Sequence, residues 1–363
     1  MLLRLPGLID PHVHMREPGG TQKEDWSTGT MAALAGGFTM VLAMPNTQPP
    51  VDSEGNLRLA LEAAEAKAFC DYGHHLGASL HNAASAAALE PWVTGLKMYL
   101  GQTYGPLVMN EPDVIAEHFR SWPAQSPVLV HAEGKMLRLA LALAQRYRRA
   151  LHVCHVARRE DILAIREAKV SGAPVTCEVT PHHMFLTEDD SALIGPTRTT
   201  VSPSLATRKD QEALWDNLEV IDCFATDHAP HTLQEKDSPH PPPGFPGLET
   251  ALPLWLTAIH DGRLTLEDVI QRMVTNPRRI FHLPPQRDTW VEVDPQSSGV
   301  IRASHCFSRS GWTPFEGWKV HGRVVSVTLR GQLAYSDHQI LVKAGFGRNV
   351  RPSPPSSPNS DSV

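Results

Sequence analysis

Six residues scattered over more than two hundred positions belong to the types that hold catalytic metals: His12, His14, Lys97, His131, His155 and Asp227. His12 and His14 stand in Asp10-Pro-His-Val-His, and in an extended segment residues two apart point the same way, so both imidazoles can reach one ion. Imidazole with carboxylate suits zinc, while manganese, cobalt and iron accept the same donors. Any one of the 19 histidines is readily explained as hydrogen-bonded packing, but a coincidence of all six positions at the ends of several predicted strands is far less easily explained that way. Lys97 lies between apolar neighbours in Gly95-Leu-Lys-Met, where an ammonium is costly to bury. It is either salt-bridged or converted by carbon dioxide into a carbamate, an anionic bridge between two metals. Glu178, in Cys177-Glu-Val-Thr-Pro-His-His, has two readings: a ligand for substrate or for an additional metal near His12, or an acceptor that orients a ligand histidine.

The elements that must position these groups are short β-rich runs at 8–14, 38–43, 71–76, 95–99, 127–131, 151–155, 175–179 and 221–227. Between them, stretches such as 53–68, 135–147 and 158–170 are rich in Ala, Leu, Glu, Lys and Arg with helical apolar spacing. Eight alternating units predict an α/β fold, a TIM-like (β/α)8 barrel over 1–285, with the candidate ligands at the C-terminal ends of its strands. The proline-dense run at 240–247 reads as a barrel-end insertion, followed by a helical pattern through 266–273. From 291 the pattern alternates in the manner of strands, which predicts a small β appendage over 286–347. The Pro/Ser-rich stretch 348–363 predicts a disordered linker or tail.

Composition narrows the class. With 41% hydrophobic and 20% charged residues the chain affords a sizeable core. A formal net charge of -6 without a basic stripe argues against nucleic acid as a partner and for a small molecule. The apolar start is interrupted by Arg4 and Pro6 and fails as a signal or membrane segment, which gives a cytoplasmic expectation. Five widely spaced cysteines read as reduced core residues.

The motifs Asp10-Pro-His-Val-His-Met-Arg-Glu-Pro-Gly, Met44-Pro-Asn-Thr, Gly95-Leu-Lys, His131-Ala-Glu, Cys154-His-Val-Ala and Asp227-His-Ala-Pro-His resemble the dihydroorotases of the amidohydrolase superfamily. Pro242-Pro-Gly-Phe-Pro-Gly-Leu-Glu-Thr, Asn276-Pro-Arg-Arg-Ile-Phe-His-Leu-Pro-Pro and Trp312-Thr-Pro-Phe-Glu-Gly resemble in particular the dihydroorotase domain of CAD-type multifunctional proteins. The resemblance implies reversible, zinc-dependent cyclisation of N-carbamoyl-L-aspartate to L-dihydroorotate in de novo pyrimidine (UMP) biosynthesis. It also implies a binuclear site: His12, His14, carboxylated Lys97 and Asp227 on one zinc, Lys97, His131 and His155 on the other, with a third ion considered at Glu178. A metal-bridging hydroxide would be the nucleophile and Asp227 the general acid/base.

Arg16, two residues after His14, offers a planar fork for a carboxylate, or a structural salt bridge to Glu17 or Glu24. By resemblance, Asn46 and His231 complete that grip, and Thr103 and Tyr104 close on the substrate from a lid at 101–106. An ordinary surface turn explains the same lid letters, and a phenylalanine is expected where Tyr104 stands. Arg208 is given no catalytic role, because Val201-Ser-Pro-Ser-Leu-Ala-Thr-Arg departs from the family pattern.

The resemblance further implies a homodimer and, in a longer native chain, flanking carbamoyl-phosphate synthetase and aspartate transcarbamoylase domains. The first motif begins so close to the N-terminus that upstream strands for the appendage are expected to be missing. The alternatives are another cyclic amidohydrolase, such as an allantoinase or hydantoinase, and a noncatalytic scaffold with the same fold. Arg16 discriminates the first, intact ligands the second.

Overall fold

The computed structural model describes residues 1–101, 105–352 and 354. Eight strand positions run parallel around a barrel. Leu8–Val13 pairs with Phe38–Ala43, which pairs with Asp71–His74. The third strand is interrupted at His75 and resumes as Leu76–Gly77, beside Leu96–Leu100. Val128–His131, Leu151–Val153, Val175–Val179 and Cys223–Phe224 follow in order. Backbone to backbone, the segment after the last strand meets the first through the bridge Val13–His228 and the bond from His14 N to His228 O at 2.8 Å. The strands are rich in Val, Leu, Ile and Met and almost wholly buried, as a sheet covered on both faces requires.

Helices cover the outer face. Glu54–Lys67 starts on a Ser53 cap, and Gly134–Tyr147 and Arg159–Val170 fill the expected ranges to within a residue or two. The helical pattern at 266–273 is broken into Leu266–Ile270, a wider π-type turn at Gln271–Thr275, and Asn276–Ile280. Pro277 has no N–H to continue the regular ladder, and Arg272 instead donates to Ile221 O at 3.1 Å and Leu218 O at 2.7 Å, below the eighth strand. Trp255, on the helix Leu248–His260, stacks on Phe224 with ring centroids 3.9 Å apart, sealing the outer wall there.

The appendage is a five-stranded antiparallel sheet built on Trp290–Val300, Lys319–Leu329, Gln332–Ser336 and Gln339–Ile340. Its fifth strand is Leu3–Pro6, paired with Trp290–Val293, so the N-terminus does supply an appendage strand and the barrel proper begins after residue 6. Four residues were too few to stand out by periodicity. Arg4 holds the pairing through Glu292 at 3.0 Å and lies over the Trp290 ring at 4.5 Å.

The tail boundary at 348 also shifts. Tyr72 N donates to Arg348 O at 3.0 Å and Val350 N to Tyr72 O at 2.8 Å, while Arg351 donates to the carbonyls of Val93, Phe281 and His282. Residues 348–352 are therefore held against the barrel, by a backbone pairing to Tyr72 that composition does not reveal.

Asp71 joins three parts of the molecule. Its carboxylate accepts from Gln286 Nε2 at 2.8 Å, from Arg348 N at 3.0 Å and from the Arg330 guanidinium, linking a barrel strand, the appendage and the returning chain. Arg330 retains some solvent contact, which screens the pair. Asp71→Ala should lower the unfolding free energy by about 2 kcal/mol through lost charged hydrogen bonds. An unchanged midpoint in urea denaturation would show that the three parts hold without it.

Candidate active site

His12, on the first strand, and His14, one residue past its end, both present Nε2 to Asp227 Oδ1, at 3.2 and 3.0 Å. Their other ring nitrogens are committed. His12 Nδ1 lies 2.5 Å from Glu178 Oε1 and His14 Nδ1 lies 2.6 Å from Asn46 Oδ1, oxygens that only accept. Each Nδ1 therefore carries the proton of the neutral ring, and each Nε2 turns a lone pair toward a carboxylate oxygen. Such a meeting is repulsive without a cation. The separations lie close to the edge of about 3.3 Å expected between tetrahedral ligands on one zinc.

The same cavity receives His131, the last residue of its strand, and His155, two residues past Val153; His131 Nδ1 and His155 Nε2 are 3.0 Å apart. His155 Nδ1 is buried without a partner. Lys97 is the second residue of Leu96–Leu100, deeper than a strand end, and reaches the site by its length. It has no exposed surface, and Nζ finds only Cys154 Sγ at 2.9 Å and the Tyr99 ring at 5.1 Å. Among the described residues no carboxylate pairs with it, which removes the salt-bridge reading. An ammonium with so little compensation is the group a carbamate would replace.

Electrostatics fit the donor set. Burial, aided by Arg16, pulls His14 down to about 4; burial with Lys97 pulls His131 to about 3. His155 is pushed well below the usual range, chiefly by burial and then by His131. These rings are neutral lone-pair donors at pH 7. His12 goes the other way: against burial, Asp227 and Glu178 raise it to about 10.

Glu178 has no exposed surface and also meets His152 Nε2 at 3.0 Å through Oε2. It thus orients His12 from behind. His12, Cys154 and Glu178 nevertheless form a second group with donor atoms within 4.8 Å of one another.

Arg16 is turned by a positive φ of 59°, donates from Nε to Pro230 O at 3.2 Å, and lies on the cavity wall with Nη2 3.0 Å from His231 Nε2. Its alternative partners are taken: Glu17 binds Lys67 and Trp26 N, and Glu24 binds Thr28, Ser308 and His228. The guanidinium is left facing the cavity, as carboxylate recognition needs. His231 receives Lys23 Nζ at Nδ1, 3.3 Å away, and meets Pro243 O at Nε2, 3.0 Å away, the pattern of a neutral ring protonated on Nε2.

Thr103 and Tyr104 lie outside the described residues. Tyr99 was overlooked: two residues after Lys97 on the same strand face, it lines the cavity with a buried hydroxyl that has no partner. The strand period was the signal that could have found it. Ser202 also lines the cavity. A wider cavity, about 620 Å³, lies elsewhere, lined among others by residues of 186–198 and 311–318, and among the described residues it gathers no comparable set of donors.

The amidohydrolase family model matches residues 3–285. The chain belongs to the amidohydrolase family. It is 36% identical over 373 residues to the dihydroorotase of Pyrococcus abyssi, covering 96% of this chain and 87% of that one. It is 53% identical over 353 residues to the multifunctional protein CAD of Squalus acanthias, covering 97% of this chain but 16% of that protein's length. This family member therefore spans about one sixth of such multifunctional relatives. In three dimensions it is similar to an L-hydantoinase (dihydropyrimidinase) from Arthrobacter aurescens, with a TM-score of 0.91 and 25% identity, covering 96% of this chain and 89% of that one.

Glu178→Gln keeps the shape of the amidohydrolase site but removes the charge behind His12. It should weaken metal binding by roughly 10- to 100-fold, as loss of an orienting partner does. Competition against a chromophoric chelator reads this directly, and unchanged affinity would remove Glu178 from the metal's support.

Proposed function

We infer that the chain is a zinc-dependent dihydroorotase, interconverting L-dihydroorotate and N-carbamoyl-L-aspartate in pyrimidine biosynthesis. The observation that carries this is the shared cavity: a convergent set of metal donors faces an arginine with no carboxylate partner among the described residues. A hydantoinase, whose ring substrates lack the carboxylate, has no use for that arginine. The dihydroorotase relatives support the same reading.

His12, His14, Asp227 and a carboxylated Lys97 would hold one zinc, and Lys97 with His131 and His155 the second. His12, Cys154 and Glu178 offer a place for a third, in competition with the proton between His12 and Glu178. When bound, such ions lower the pKa of a coordinated water toward neutrality and polarise a carbonyl. Arg16 clamps the carboxylate of the ring, with Asn46 and His231 completing the grip. Asn46 serves twice, since its Oδ1 already fixes the tautomer of His14. Asp227 accepts the proton released as water adds to the ring amide carbonyl and returns it to the ring nitrogen as the C–N bond breaks. Burial of these groups excludes bulk water, which strengthens each charge interaction. Ring closure takes up a proton, because carbamoyl aspartate carries two carboxylates and dihydroorotate one, so lower pH favours the cyclic form.

Buried free cysteines and the absence, among the described residues, of any helix long and apolar enough to cross a membrane fit a cytoplasmic enzyme. We place it within a CAD-type polypeptide, between carbamoyl-phosphate synthetase and aspartate transcarbamoylase domains, and as a homodimer.

Asp227→Asn removes the proton carrier and a metal ligand together and should lower hydrolysis of dihydroorotate roughly 10²-fold or more; near-normal turnover would exclude Asp227 from proton transfer. Arg16→Ala should cost on the order of 10²-fold in kcat/KM for dihydroorotate, as loss of a buried charge partner does, while leaving metal content intact. If that variant turns over dilute dihydroorotate as the wild type does, the carboxylate is held elsewhere. Metal-stripped protein should recover about two equivalents of zinc when bicarbonate is supplied, as two-metal hydrolysis requires. Full recovery in bicarbonate-free buffer would count against the carbamate.

A further inference from the structure

Lys236 ends the short helix Leu233–Lys236 and has no exposed surface. Its Nζ donates to three main-chain carbonyls, Thr200 at 2.6 Å, Pro242 at 3.0 Å and Gly244 at 3.2 Å, and lies 5.4 and 5.5 Å from the ring centres of Phe245 and Trp312. Burial alone pulls this ammonium down to about 7. Three carbonyls, however, match the three protons of the cation, a set that a neutral amine with two donors leaves incomplete. A buried cation is a costly way to tie loops together, so what the loops carry matters.

They carry one wall of the active site. Ser202 follows Thr200 by two residues, and Pro243 and Gly244 lie inside the second tied segment; all three line the cavity. The wall is pressed inward, because Gly244 has a φ of +141° and a Cβ there would stand 2.4 Å from Ala229 O, two residues after Asp227. Pro243 O meets His231 Nε2 at 3.0 Å, and Trp312 Nε1 donates to His231 O at 2.8 Å. Ammonium, wall and indole therefore converge on His231. The proline-dense loop and the Trp312-Thr-Pro-Phe motif, which the metal chemistry leaves unused, find their purpose here.

We propose that Lys236 is a positioning residue for the carboxylate end of the substrate cavity. By gathering the carbonyls of Thr200, Pro242 and Gly244 around one buried ammonium, it fixes the wall of Ser202, Pro243 and Gly244 and sets the His231 ring opposite Arg16. Burial, then the charges of Arg16, Lys23 and Lys236, keep the His231 imidazole neutral, while Glu235, 3.1 Å from Lys23 and 3.7 Å from His231 Nδ1, offsets part of that positive charge on the side of Lys23. This rests on the reading that a carboxylated ring is bound at Arg16 and His231.

The test is steady-state kinetics of the metal-loaded chain carrying Lys236→Met, an unbranched side chain that replaces the aliphatic stem of lysine and omits its ammonium. The expected result is a KM for dihydroorotate raised about tenfold or more with kcat within about threefold of wild type and zinc content unchanged, since the binding wall moves while the reacting groups stay. A merely structural lysine would lower the fraction of active enzyme, and so kcat, without moving KM; that result, or an unchanged KM with normal kcat, overturns the inference. Where Lys236→Met does not fold, Trp312→Phe decides in its place, because it removes the donor to His231 O and one face of the ammonium's box: the same split supports the inference and an unmoved KM overturns it. A wild-type chain that holds zinc but leaves dihydroorotate untouched overturns the dihydroorotase reading and this inference with it. An active wild type beside a variant with unmoved KM overturns this inference alone.

Discussion

The mouth of the barrel depends on a carboxylate that touches neither metal ligand donors nor solvent. Asp10 has no exposed surface and accepts from His12 N at 3.1 Å, Thr226 N at 3.2 Å and Thr226 Oγ1 at 2.5 Å. Burial raises it to about 7, while the three donors pull the other way and favour the carboxylate. The first and eighth strands share almost no regular ladder, and Asp10 supplies the joint where ladder is lacking. His12 and His14 stand on one side of that joint and Asp227 on the other. Any slackening would separate the atoms proposed to share an ion, so closure of the fold and assembly of the candidate site are a single geometric event.

The appendage braces the same joint from outside. Glu24, fully buried, accepts from Ser308 Oγ at 2.6 Å and Arg309 N at 3.3 Å, and lies 3.3 Å from Nε2 of His228, the neighbour of Asp227. Gly247 N donates to the other nitrogen of His228 at 3.1 Å, which fixes that ring as a neutral donor to Glu24. Glu249, raised to about 7 by burial, accepts from the amides of Phe307 and Ser308. A loop of the appendage is thus bonded to the segments that follow the first and last strands. That arrangement explains why a small sheet far from the chemistry accompanies the barrel: it fixes the two segments that the weakest seam leaves freest to move.

Much of this was legible in the sequence because two periods are strong. All eight strand runs fall where alternation and β-branched content placed them, since a strand buried on both faces has few other ways to be written. The candidate ligands were legible because metal-binding residue types recur in or just beyond several of the strand runs, although Lys97 starts deeper than a strand end. Elements defined by pairing rather than pattern were not: Leu3–Pro6 becomes a strand only because Trp290–Val293 is there to receive it, and 348–352 is held by its partners Tyr72, Asp71 and the carbonyls that Arg351 reaches. Roles that depend on who stands opposite were equally hidden. Glu178 is separated from His12 by 166 positions and Lys236 from Thr200 by 36, and Asp10, inside the ligand motif, is no ligand at all. Tyr99 was hidden differently, since its significance is the lack of a partner, which no sequence records.

Backbone conformation marks the site independently of any side-chain contact. Among the described residues nine other than glycine have positive φ, and four of them lie where a left-handed residue is usual: Arg148 caps a helix, Arg330 sits in the Arg-Gly turn between two appendage strands, and Asp337 and His338 form a two-residue hairpin. Arg16, His155 and Asp227, with φ of 59°, 34° and 44°, have no such excuse. Each sits just beyond a barrel strand, and each strained residue of this kind costs on the order of 1–2 kcal/mol. Glycine would relieve the backbone but delete an imidazole, a carboxylate or a guanidinium. The chain keeps the donors and bears the strain, which it can do only where the surrounding bonds over-determine the turn: Arg16 Nε on Pro230 O, the His131 ring on His155, and, beside Asp227, His14 N on His228 O. These three positions gather one donor for each of the three tasks the proposed reaction needs, holding metal, moving a proton and gripping a carboxylate, and that coincidence argues that the strain is functional.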